Sequence, residues 1–141
     1  MLLTQDYITA AAFLFEQARG YPHDEYETAM IQSQGLDLAD PNLIAKELVD
    51  AVKSSSCDVL IRGPVYWALG KRYDETLLEF FRSSLRFESA SGTEAAWEVM
   101  IALRNLGEPI FDETRSGYGC DEEDMNRADA LRYLQQINIK P

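Results

Sequence analysis

Histidine, cysteine and basic charge are all scarce in this chain. It has one histidine, His23, and two cysteines, Cys57 and Cys120, in 141 residues. Any Ser–His or Cys–His catalytic pair would have to use His23, which sits in Pro22-His23-Asp24, a run expected to form a solvated helix cap. The cysteines lack CxxC spacing and are too few to staple a secreted domain. Free thiols are the plain expectation, although sequence distance alone leaves a Cys57–Cys120 pairing open. HExxH, Walker and GxGxxG patterns are absent, and Gly117-Tyr118-Gly119 is too short to cradle a phosphate. Long apolar runs are missing as well. The longest, residues 8–15, is interrupted by Thr9 and falls far short of a bilayer span. Met1-Leu2-Leu3-Thr4-Gln5-Asp6 has no basic segment or small-residue cleavage site, so a cytoplasmic location is expected.

The shortage of basic residues gives a net charge of −11, from 24 acids and 13 bases. The excess is uneven: residues 1–56 sum to −6, 57–107 to −1 and 108–141 to −4. A field of that sign repels nucleic acid and anionic membrane and speeds encounter with a basic protein. Hydrophobic residues make up 46% of the chain, enough for one domain spanning 1–141 with its own core and no disulfide or metal.

What is present is helix. Seven helices and no strand follow from periodicity and caps. Thr4 caps a first helix to about residue 18, with Ile8, Ala11, Ala12 and Phe15 on one face. A second covers about 23–33, its Asp24, Glu25 and Glu27 opposite the positive end of the helix dipole. Asp40-Pro41 starts a third, with Ile44, Leu48 and Val52 inward and Ser54-Ser55-Ser56 closing it. Gly63-Pro64 is expected to break the fourth, leaving a short turn before Pro64 and the main helix from it to residue 72. Asp74 caps a fifth, in which Leu77, Phe81 and Leu85 recur. Ser91-Gly92-Thr93-Glu94 has capping-box spacing for a sixth helix at about 93–106, stopped by Gly107 and Pro109. A seventh runs from after Asp121 to about 136, with Met125, Ala128, Leu131 and Leu134 inward. Trp67, Phe80, Phe81 and Trp97 are expected in the core. The long connection 108–120 is a functional-loop candidate.

One phrase occurs twice. Trp67-Ala68-Leu69-Gly70-Lys71-Arg72-Tyr73-Asp74 is echoed, 34 positions later, by Ile101-Ala102-Leu103-Arg104-Asn105-Leu106-Gly107-Glu108. The first copy, followed by a helix over 76–86, resembles a bacterial HEAT-like repeat, whose inner helix closes on Ala-Leu-Gly before an acidic restart. The second copy departs from the pattern at Arg104 and at Pro109. The resemblance covers residues 57–108 and implies an all-α fold of antiparallel helical hairpins in a short right-handed stack, with a HEAT-like core at about 40–108. Such stacks are scaffolds that bind many kinds of partner. In size, charge and fold class the chain is also similar to immunity proteins of bacterial polymorphic-toxin and contact-dependent inhibition systems, a likeness resting on no diagnostic motif.

Two acid-and-aromatic clusters are the candidate partner-binding residues. In the first, residues 108–124 hold seven acids and the single base Arg115, interleaved with Phe111 and Tyr118; the candidates are Asp112, Glu113, Tyr118, Asp121, Glu122, Glu123 and Asp124. The second is Tyr21, Asp24, Glu25 and Glu27, with Tyr26 among them. Carboxylates would pair with guanidinium groups while rings supply buried area. Consecutive acids in a helix's first turn lack the alternating ligands and central glycine of a calcium loop, so no metal is expected, nor any cofactor or catalytic residue. The expectation is therefore a non-enzymatic immunity protein that occludes a basic, nuclease-type toxin. The alternative is a HEAT-like adaptor or chaperone/lyase-type subunit, and a hydrolase working through paired carboxylates comes third. Oligomeric state is not fixed by the sequence.

Overall fold

Four acids or hydroxyls placed just ahead of apolar-periodic segments start four helices. A computed structural model describes residues 3–54 and 57–139; among these it holds seven α-helices and no strand. The chain divides into two compact units, Met1–Tyr73 and Asp74–Pro141.

The first unit contains α1 (Gln5–Ala18), α2 (Glu25–Ser33), α3 (Pro41–Lys53) and α4 (Val59–Gly70). Thr4 caps α1 through the Tyr7 amide, Asp24 caps α2, Asp40 caps α3 with Pro41 behind it, and Asp58 caps α4. Each such cap is worth about 1 kcal/mol. α1 packs on α2, α3 and α4. Its buried Ala10, Ala11 and Ala12, beside Ile8, Leu14 and Phe15, let neighbours approach from several sides. The Tyr7 hydroxyl donates to Glu47 of α3 at 2.8 Å; burial and that carboxylate push the phenol up to about 12.

Two expectations fail here. Asp24 and Glu27 form the capping box of α2, whereas the His23 side chain is only 4% exposed, with Nε2 2.6 Å from the Phe13 carbonyl oxygen. A carboxylate is the better acceptor for helix N–H groups, which leaves the imidazole to fill space against α1. α4 also runs unbroken through Pro64. The turn before the proline is anchored to Asp58, whose carbonyl accepts from Ile61 and Arg62 and whose side chain accepts from Leu60. The proline removes one bond, to Leu60, whose side chain is exposed. Burial of Val65, Tyr66, Ala68 and Leu69 outweighs that cost of about 3 kcal/mol. Ser54 caps α3 at its C-terminus; the expected close at Ser55-Ser56, like the reading of Met1 and Leu2, lies outside the described residues.

The second unit contains a 3₁₀ turn (Glu75–Leu77), α5 (Leu78–Ser91), α6 (Ala95–Asn105) and α7 (Glu123–Ile139). α5 packs on both α6 and α7. Asp74 caps the 3₁₀ turn instead of α5 itself. The Ser91–Glu94 capping box does not form. Gly92, at φ +67°, ends α5, with the Thr93 amide donating to the Glu88 carbonyl. The Thr93 hydroxyl donates to the buried Glu88 carboxylate at 2.6 Å, and Glu94 starts α6 with no side-chain cap. Gly107, at φ +84°, stops α6 as expected.

On α7 only Leu134 of the four residues expected inward is buried. Met125, Ala128 and Leu131 are exposed, and the buried residues are Asn126, Asp129, Ala130, Tyr133 and Leu134. Successive helical residues turn by about 100°, so three-residue steps drift around the axis and Met125 points half a turn from Leu134. Of the four aromatics assigned to the core, Phe81 is buried while Trp67, Phe80 and Trp97 are half-buried. The two copies of the repeated phrase close α4 and α6, one in each unit.

Candidate partner-binding surface

The connection between α6 and α7 has no helix to satisfy its backbone, so side chains hold it. Arg115 is the centre. Its side chain is 2% exposed, and it donates to Asp129 at 2.8 Å, Asn126 at 2.9 Å and Glu122 at 2.7 Å. Its buried Nε has no acceptor and lies among the rings of Phe111 and Tyr118, which stack on each other with centroids 4.4 Å apart. Arg104 of α6 approaches the same Tyr118 ring at 4.9 Å, and the Trp97 indole donates to the Tyr118 carbonyl at 2.8 Å.

Asp129, with a side chain 5% exposed, also accepts from the Asp112 amide and from Arg132, which in turn donates to the Ile110 carbonyl. Burial raises the Asp129 pKa, but hydrogen bonds from Arg115, the Asp112 amide and Arg132 outweigh it and hold the carboxyl below the usual range. For Arg115, desolvation opposes the charge, and its bonds to Asp129 and Glu122 win, raising its pKa. At the α6 end, Glu108 accepts from Arg82 at 2.8 Å and from the Tyr133 hydroxyl at 2.6 Å; burial and Glu108 push that phenol up to about 12.

The candidate acids therefore divide. Glu122 is tied to Arg115. Asp112 accepts from the amide and hydroxyl of Thr114, contacts that hold its carboxyl below the ordinary value. Tyr118 is half-buried in the stack. Glu113, Asp121, Glu123 and Asp124 are exposed and make no ion pair among the described residues. In the other unit, Tyr21 and Glu25 are exposed, while Asp24 and Glu27 are occupied by the capping box and Glu27 stands 3.5 Å from His23. Asn126, Asp129 and Arg132 were missed in the sequence. Glu122, Asn126, Asp129 and Tyr133, at i, i+4, i+7 and i+11, form a true helical stripe that could have found them.

Both cysteines are free thiols, Cys57 half-buried and Cys120 exposed. Among the described residues no group of three His, Cys, Asp or Glu side chains could hold a metal ion, and no helix is long and apolar enough to cross a membrane. No protein-family model, curated protein or solved structure matches this chain.

Proposed function

We propose that this chain is a non-enzymatic, HEAT-like protein-binding module of the immunity type, which neutralises a basic, nuclease-type toxin by covering the surface the toxin offers to phosphate. One observation carries the reading: a long non-helical segment is held by a buried guanidinium and stacked rings while two of its carboxylates, Glu113 and Asp121, and two in the first turn of α7, Glu123 and Asp124, stay in solvent. A segment already ordered gives up little entropy when a partner arrives. Opposite charge speeds encounter, and buried aromatic area slows release.

The test is affinity isolation from the native host followed by binding kinetics with the co-purified polypeptide. Reversing Asp121, Glu123 and Asp124 to lysine, with Glu122 kept because it holds Arg115, should lower the association rate about tenfold and flatten its salt dependence. Unchanged kinetics would move the interface off this segment, and recovery of the chain alone would remove the reading altogether.

A further inference from the structure

Arg19, the C-cap of α1, is exposed and lies 3.8 Å from the Tyr73 ring centroid and 5.2 Å from that of Tyr21. One of its N–H groups donates to the Lys71 carbonyl at 3.3 Å, and no carboxylate pairs with it among the described residues, although acids outnumber bases 24 to 13 in this chain. The Lys71 ammonium lies 5.4 Å from the Trp67 ring centroid and likewise makes no ion pair there. Tyr73 is the one non-glycine residue at positive φ, +50°, among the described residues, a backbone state that is costly for a bulky side chain. Its ring is the one closer to Arg19, yet Tyr73 and Tyr21 stay 46% and 54% exposed. Rings fix the plane of a guanidinium without neutralising it, so its edge N–H groups remain open to a carboxylate. Tyrosine beside arginine is also the composition that dominates binding energy at protein interfaces.

The complementary surface is in the second unit. Glu113, Asp121, Glu123 and Asp124 are exposed without ion pairs among the described residues, within or just after the loop that Arg115 holds. We infer that the Arg19, Tyr21 and Tyr73 surface docks the 113–124 acidic segment of a second copy of this chain. Its carboxylates take the open edge of the Arg19 guanidinium and the Lys71 ammonium, while the two rings supply apolar area. Both partners are ordered before they meet, which lowers the entropy cost of the contact. The net charge of −11 opposes the approach of like chains, so association needs high concentration. Only this chain is required, and the contact stands or falls apart from the toxin reading.

The test is sedimentation velocity of the full chain alone, from about 10 μM to about 1 mM, with reductant present so that the exposed Cys120 forms no disulfide. Wild type should show a mass that rises with concentration. Arg19→Gln should weaken self-association about tenfold, the effect of one charge-assisted contact. Asp121→Asn, Glu123→Gln and Asp124→Asn together should weaken it at least as much. That triple variant also lowers the like-charge repulsion, so non-specific association would rise in it instead of falling. Both variants alter exposed side chains with little change of shape, and unchanged helical circular dichroism checks their fold. Because the two surfaces are different patches, an equimolar mixture of the variants should associate again, one intact arginine surface meeting one intact acidic segment. A wild type monomeric throughout, variants that associate as wild type does, or a mixture no better than its components would each overturn the assignment.

Discussion

Every buried Ser, Asn, Asp or Glu among the described residues, namely Ser84, Glu88, Asn126 and Asp129, lies in the second unit, whereas the first buries apolar side chains around α1. Arg82, Arg115 and Arg132 are held by carboxylates, but Arg19 is held by rings and a carbonyl. Four capped helices can satisfy their backbones internally and need only a shape-matched apolar core. The α6–α7 connection cannot, and directional ionic contacts fix it instead. That arrangement costs desolvation, and it determines one conformation for a segment with no periodicity of its own.

The contrast can be broken by removing each unit's central residue. Arg115→Met would leave the buried Asp129 carboxylate with only Arg132 and the Asp112 amide, and Glu122 without its ion pair, and should cost about 3–5 kcal/mol in urea unfolding at pH 7. Leu48→Ala in the first unit should cost about 2–4 kcal/mol through the cavity it leaves, equally at pH 7 and about pH 3. If both variants lost the same stability and lacked any pH dependence, the ionic network would be incidental. Asp129→Asn sharpens the point with a smaller effect, about 2 kcal/mol at pH 7. Because the folded pKa of Asp129 is depressed, its contribution is complete above the unfolded value of about 3.9 and is lost as pH falls through the folded one. The gap between wild type and Asp129→Asn should therefore begin to narrow below about pH 4, as read from unfolding curves across pH. A gap that had not narrowed at all by pH 2.5 would show that the missing charge is not what the variant loses.

Helix number and the starts at Thr4 and Asp40 were legible in the chain, since a cap acts on its next three residues; Asp24 and Asp58 cap α2 and α4, where the sequence pointed to His23 and Pro64. Pro64 misled because the gain that overrides it is tertiary. The Ser91 capping box failed because a buried carboxylate, Glu88, claimed Thr93 and Gly92 had already ended α5. On α7 the apolar residues at three-residue spacing drew attention from the polar stripe that is buried. Of the acid cluster, composition and the presence of a lone base were visible; which carboxylates that base would take was not.

The order of residues by itself determined an all-helical, strongly acidic chain, because caps, breaks and net charge depend on neighbours or on simple sums. Only the tertiary structure decided which carboxylates face solvent and which are tied to Arg115, and that Arg19 would meet the Tyr73 ring. Those outcomes depend on distances between residues far apart in the chain, where burial sets the cost of leaving a charge without a partner.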